Sequence, residues 1–339
     1  MSYLDEVTKT LDAILPSPPR LRFEQSRLLA PILSRQSAVS LIDCVLADKE
    51  ALLRIAARSY THTLGFRKIV LLDQDYRLPD GSKGFGYQLR LHLWEPDCKE
   101  AVPLLEAMHE HAFDFTSVML TGAMENQCYE ILPLSPAEQA FAARIQVRLA
   151  ELSNEELRKL TLQLEILEAR RLQAFGSEQA SCDGDQLHYD ESYLKKLLAL
   201  EQSELDLLLS LQGRYRSVLK STPSGGGGYV HRLSEFVKLV PVKVLRLAAG
   251  DLYHHPHPFA HRLYAAPGQR NSTLIITTPV SQDAVGGSFQ RPSASEESDV
   301  QYARKMYSCE ELHIALSAYR EELLEENAVT HQRFFNVAD

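Results

Sequence analysis

The stretch His109-Glu110-His111-Ala112-Phe113-Asp114-Phe115-Thr116-Ser117-Val118-Met119-Leu120 decides how this chain is read. In a strand, residues two apart share a face. His109 and His111 then point the same way, with Phe113, Phe115 and Ser117 beside them. Two imidazoles on one inward face can bind a transition metal, but they hold it firmly only with a third ligand from elsewhere in the chain. The same pair also describes two hydrogen-bonded side chains on a sheet surface, so the surrounding sequence has to decide.

Outward from this stretch the chain is β-rich on both sides. Residues 66–72 form a β-branched and aliphatic run, and Asp80-Gly81 with Gly84 and Gly86 marks a turn. Residues 87–94 alternate Leu89, Leu91 and Leu93 with Arg90, His92 and Trp94. The strand of residues 110–120 turns at Thr121-Gly122 and returns through 127–132. Further strands are predicted at 237–247, 259–265 and 273–278. Residues 3–60 read as helices, from Leu4, Val7, Leu11 and Ile14 and again from Leu41, Val45, Leu52 and Ile55, with Pro16, Pro18 and Pro19 between them.

Residues 135–220 read as helical too. Leu149, Leu152, Leu157, Leu160, Leu164 and Leu167 fall near heptad spacing, a second leucine-rich run covers 194–211, and the polar residues 176–190 separate the two. A long helical hairpin is the expectation, packed within the chain or serving as a lid or a homodimer contact. A glycine-rich connector, 221–228, follows it, and a polar stretch, 281–298, leads to a last helix at 309–326. The fold class is α+β: one β domain split by a helical insertion. Its segments are 1–60 (N-terminal helices), 61–134 (first half of the β domain), 135–224 (insertion), 225–292 (second half) and 293–339 (C-terminal helical segment).

Composition removes several function classes. The 339 residues are 45% hydrophobic and 24% charged, the balance of a globular protein. Lys+Arg 36 against Asp+Glu 45 gives a net charge of −9, which opposes binding to nucleic-acid phosphates. No apolar run approaches a membrane span, and Asp5, Glu6, Lys9 and Asp12 make an acidic amphipathic start rather than a signal peptide. Five scattered cysteines without a CxxC argue against a disulfide framework, so a reducing, cytoplasmic setting is expected. Nucleotide-binding glycine motifs and a GxSxG elbow are absent. The twelve histidines are clustered: besides His109 and His111, four fall within eight positions, His254, His255, His257 and His261.

With these residues in view the sequence resembles the cupin superfamily, whose first motif is His-x-His followed by a Glu and then a Gly at the next turn. His109, His111 and Gly122 match, and Phe115 stands in place of the Glu. Members lacking that Glu include three-histidine thiol dioxygenases of the cysteine dioxygenase type. Gly65-Phe66-Arg67-Lys68-Ile69-Val70 is similar to the segment carrying that family's carboxylate-binding Arg, which maps to Arg67, and Trp94 is similar to a Trp shortly before its histidine pair. Ala249-Gly250-Asp251-Leu252-Tyr253-His254 resembles the second motif, with the His one residue late. Leu263-Tyr264-Ala265-Ala266-Pro267 resembles the family's Leu-Tyr-Ser-Pro-Pro, whose Tyr lies in the active site, and Arg262 falls where the family has a supporting His. The chain departs from the family in its helical insertion, in a longer stretch between Trp94 and His109, and in Thr116 near the place of a Cys.

The resemblance implies a cupin-type antiparallel β-barrel (a double-stranded β-helix) and a mononuclear non-haem iron oxygenase. Its substrate would be an amino-acid-like or other small carboxylate, and dioxygen the co-substrate. Fe(II) is the expected metal, with zinc, manganese and copper as alternatives. The residues leave His254, His255 and His257 open as third ligand. His254 is taken, with His257 next, because alternation puts His261 opposite Arg262 and Tyr264 and so outside their pocket. The expected metal ligands are thus His109, His111 and His254. The substrate residues are Arg67, Arg90, His92 and Arg262, since a guanidinium fork suits a carboxylate, and Tyr264 is the catalytic candidate. Two other classes stay open: a zinc, manganese or copper isomerase, hydrolase or lyase, and a non-catalytic metal- or ligand-sensing cupin.

Overall fold

Capping chemistry places the helices where the chain offers an oxygen to the first free amides. The structure, a computed structural model, describes residues 2–15, 21–61, 66–77, 83–95, 108–176, 191–220, 228–266, 268–278, 286–291, 297–298, 305–325 and 333–338. Helices α1 (Tyr3–Ile14), α2 (Phe23–Ser26), α3 (Arg35–Ala47) and α4 (Lys49–Ala56) open the chain. Ser34 caps α3, and Asp48 accepts from the amides of Glu50 and Ala51 to start α4. Strands β1 (Tyr60–Thr61), β2 (Arg67–Arg77), β3 (Lys83–Trp94), β4 (His109–Glu110), β5 (Phe115–Thr121) and β6 (Ala123–Pro133) follow.

Four helices come next, α5 (Pro136–Ala150), α6 (Asn154–Gln173), α7 (Glu191–Leu198) and α8 (Gln202–Ser210). The chain then returns to strands β7 (Leu211–Lys220), β8 (Gly228–Ala248), β9 (Leu252–His255), β10 (Ala260–Ala265), β11 (Asn271–Thr277) and β12 (Ser288–Gln290), before α9 (Cys309–Glu325).

Three elements differ from the sequence reading. The leucine heptads do not make one helix through 149–167: Ser153 and Glu156 form a reciprocal capping box that starts α6 afresh. The helical region ends at Ser210, and Leu211–Lys220 is a strand paired with β8. The strand of 110–120 is interrupted at residues 111–114, with a bend at 112–113. The turn expected at Asp80-Gly81, most of the polar break 176–190 and the connector 221–227 lie outside the described residues.

Two sheets form. The first contains, in order, β1-β2-β3-β11-β5-β9, edged by Lys305–Met306 beside β1 and by Phe334–Asn336 parallel to β9; the second is edged by Glu297–Ser298 beside β8 and continues β8-β6-β10-β4-β12-β7. Because β7 also pairs with β8, these last six strands close into an antiparallel β-barrel. The hairpin between β5 and β6 turns at Gly122, whose φ of +76° favours glycine. A Cβ there would also collide with the Asn271 side chain and the Arg270 carbonyl.

Each strand serves two faces. On the first sheet, Leu89, Leu91, Leu93, Val118, Leu252, Leu274 and Ile276 pack with α1, α3, α4 and α9 through Leu11, Leu41, Ile42, Ile55, Leu312 and Leu316. Its other face, with Phe115, Met119, Tyr253 and Ile275, packs against Met124, Cys128, Leu245, Leu247 and Leu263 of the second sheet. The remaining face of the second sheet, including Tyr129, Leu239 and Ala260, meets Ala169 and Leu172 of α6. Glu168 of α6 accepts from Arg291 at 2.5 Å and from Arg262 at 3.5 Å, so α6 is docked on the barrel by charge as well as by apolar area. No helix among the described residues is long and apolar enough to cross a membrane.

Leu274, fully buried between β3 and β5 and against the helical layer, tests this arrangement. Leu274→Ala should cost about 2–5 kcal/mol of stability in chemical denaturation. A loss below about 1 kcal/mol would contradict the packing.

Candidate metal centre

β4 and β10 lie side by side with His261 in register opposite His109, so alternation alone puts their rings on the same face of the second sheet. The bend after β4 keeps His111 with them. The result is a cluster of three imidazoles, His109, His111 and His261, whose ligand atoms all lie within 4.8 Å of one another. His261 Nε2 is 3.1 Å from His111 Nε2 and 3.2 Å from His109 Nε2. His261 is buried and the other two are half-buried.

Protons cannot satisfy this arrangement. His261 Nδ1 faces Asn126 Oδ1 at 3.1 Å, and a proton donated there leaves Nε2 as a bare lone pair. That lone pair can accept a proton from one neighbouring imidazole but not from both. A cation turns the residual repulsion into coordination. The two spacings to His261 also suit it: nitrogens each about 2.1 Å from one ion lie about 3.0 Å apart at right angles and about 3.4 Å apart at tetrahedral angles. The donor set therefore fits a metal ion.

The surroundings hold the rings and keep them neutral. Asn126 sets the tautomer and orientation of His261, as outer partners of ligating histidines do. The His111 carbonyl meets His257 Nδ1 at 2.8 Å, and the His257 amide donates to Asp114 Oδ1 at 2.7 Å. Asp114 Oδ2 also accepts from the Leu21 amide, tying the N-terminal segment to this loop. Phe113 stacks on His111 at 4.9 Å, and Phe115 meets it edge-on at 5.1 Å. Burial, reinforced by neighbouring imidazoles, holds His111 and His261 well below the ordinary histidine range, so both present neutral rings, the form that ligates.

Of the expected third ligands, none joins the pair. His254 lies on β9 beside Leu252 on the face that looks toward the N-terminal helices. Its Nδ1 meets Thr116 Oγ1 at 3.3 Å and its ring packs near Phe23. His257 supports the His111 backbone. His255 does point between the sheets, stacked on Phe115, with its centroid 4.5 Å from that of His261; its Nε2 is engaged by the Phe259 carbonyl at 3.0 Å.

On β10 the face of His261 looks between the sheets, and not the face of Arg262 and Tyr264. Alternation does separate His261 from Arg262 and Tyr264, but the face carrying those two turns to α6. Arg262 meets Glu168 and Tyr264 there, away from the three rings. The signal was present in the sequence: His261, Leu263 and Ala265 form the less polar face of β10.

The same rule sorts the remaining candidates. Arg67 stands opposite Leu93 on the helix-facing side of the first sheet and pairs with Glu95 at 3.3 Å, so it does not reach the imidazoles. Arg90, His92 and Trp94 share the face of Ile275 and Thr273, which looks between the sheets. Arg90 Nε donates to Gln88 Oε1 at 2.6 Å, and its guanidinium lies 5.0 Å over Phe113, the ring stacked on His111. Among the described residues no carboxylate pairs with Arg90, and burial lowers its pKa to about 10. Lys68, in register with His92, adds a second cation on that face. Neither Asn126 nor Lys68 carries a sequence signal of its own; sheet register alone brings them in.

The sequence matches no protein-family model, and no curated protein is detectably similar to it. The imidazole cluster and the fold around it therefore carry the functional argument.

Two outcomes follow. His261→Ala should weaken zinc or cobalt binding more than 100-fold, beyond the roughly 10–100-fold typical of losing an outer partner, while His254→Ala leaves it within a few-fold; isothermal titration separates them. Burial also lowers the pKa of His254 to about 4. The unfolded chain binds that proton near pH 6.5, so the stability from neutral His254 is complete above 6.5 and is lost as pH falls toward 4. At pH 5 the loss is on the order of 2 kcal/mol. Denaturation of metal-free His254→Gln at pH 7.5 and 5 should show a shallower acid loss than the wild type.

Proposed function

We propose that the protein is a cupin-type, metal-dependent enzyme that uses His109, His111 and His261 to bind one Fe(II) ion and oxidises a small carboxylate with dioxygen. The observation that carries the reading is the convergence of three imidazole nitrogens in the interior between the two sheets. Strand order supports it. The interleaved sets β3-β11-β5-β9 and β4-β10-β6-β8 have the connectivity of a double-sheet jelly roll, the architecture to which cupins belong. The all-imidazole donor set supports it too: Glu110, the carboxylate nearest in sequence, points to the opposite face.

Three neutral protein ligands would leave open positions on the ion, where iron supplies the binding and activation of dioxygen. The chain's own residues do the rest. Arg90 offers a charged fork to a carboxylate from the face opposite His261, in the role the sequence suggested for Arg67. Phe113 and Phe115 exclude water beside His111. His92 shares Arg90's face and is its companion for substrate contact. A three-histidine set serves zinc equally well in hydrolytic enzymes, and metal-dependent turnover without dioxygen would select that second reading.

The test is dioxygen consumption by Fe(II)-loaded protein across a panel of small carboxylates, amino acids included. Uptake with at least one substrate is expected, and it should be lost in His261→Ala. Arg90→Met should raise the KM for that substrate by about 10–100-fold, the worth of a charge-assisted hydrogen bond, and Arg67→Met should not. No uptake with any substrate, or an Arg90→Met enzyme with unchanged KM, would count against the proposal.

A further inference from the structure

β4, which carries the first ligand and leads directly to the second, is only two residues long. Its backbone is held by the Glu110 amide donating to the Gly287 carbonyl at 2.9 Å, by the Phe289 amide donating to the Met108 carbonyl at 2.7 Å, and by pairing with β10 and β12. So short a strand needs another anchor if its imidazoles are to stay fixed to within fractions of an ångström, as ligation requires.

Glu110 provides one. Alternation turns its side chain away from His109 and His111, into a site where it is fully buried. There Oε1 accepts from Arg214 Nε at 2.6 Å and lies 2.5 Å from Arg214 Nη2. Arg214 is itself tethered, donating from Nη1 to Glu235 of β8 at 2.9 Å. It stands on β7, with β12 between it and β4, so the bridge must cross a strand. Gly287 makes the crossing possible: a Cβ there would lie 3.0 Å from Glu110 Oε1 and 3.2 Å from the Tyr215 carbonyl.

We propose that Arg214 is a positioning residue for the metal centre, acting through the buried Glu110 carboxylate to fix the strand between ligands His109 and His111. The inference rests on the metal-binding reading above. Its physical basis is that a carboxylate buried at this depth cannot lose its guanidinium without finding another partner or a proton. Either change moves the peptide unit that joins the two ligands. Arg214 also lies on the strand that leaves the helical segment, so the docking of those helices and the geometry of the metal site share one ion pair.

Cobalt(II) is the probe, because its visible absorption reports ligand geometry independently of turnover. Arg214→Met should weaken cobalt binding about 10–100-fold and alter the spectrum of the loaded protein. Arg214→Lys should recover part of both, and Glu110→Gln, a near-isosteric change, should shift the spectrum in the same sense. Should Arg214→Met fail to fold, Glu110→Gln and Arg214→Lys carry the test. Variants that melt at lower temperature without metal, yet bind cobalt with wild-type affinity and spectrum, would overturn the proposal. A wild-type protein that binds no cobalt would overturn the metal reading itself, and this inference with it.

Discussion

His261 Nε2 faces two other imidazole nitrogens at 3.1 and 3.2 Å, in an interior where its one lone pair can accept only one proton. Much of the surrounding structure keeps that unfavourable approach in place. Asn126 fixes the His261 tautomer, and Asp114 and His257 hold the loop after β4. Glu110 reaches across β12 to Arg214. These contacts come from β6, β7, the β9–β10 turn and the loop before β5, so the cluster depends on the closure of the whole sheet system.

Burial is what makes the cluster chemically useful. Desolvation favours neutral imidazoles, which are ligands, over imidazolium, which is not. The same desolvation leaves Arg90 a cation whose neighbours are an amide side chain and an aromatic ring. The chain carries a net charge of −9, yet the face opposite His261 presents Arg90 and Lys68. Net charge describes encounters with large polyanions, whereas a small anion responds to the local field.

Much of the fold was legible because strand and helix periods are local properties. The alternation of Leu89, Leu91 and Leu93 with Arg90, His92 and Trp94 located β3, and Thr121-Gly122 located the hairpin. What misled was the assumption about which face of a strand looks inward. Arg262 and Tyr264 look like pocket residues until α6 brings Glu168 to meet them. His254 looks like a ligand until β9 is seen to turn Tyr253 and His255 inward and His254 toward Phe23. The leucine spacing across 149–167 concealed a helix break because heptad spacing outweighed the capping signal of Ser153 and Glu156.

The sequence by itself determined that His109 and His111 share a face, that the β strands fall into two groups separated by a helical segment, and that an aromatic ring, Phe115, follows the histidine pair on that face. Those statements need only the two-residue period of a strand and the identities of neighbouring residues. Tertiary structure alone decided that β10 lies in register beside β4 and so brings His261 to the pair, that Arg90 rather than Arg67 shares their interior, and that Arg214 stands behind Glu110. Each of these joins residues from 19 to more than 150 positions apart. Sheet register and the sharing of faces set such pairings, and they form only when both sheets and their covering helices are in place.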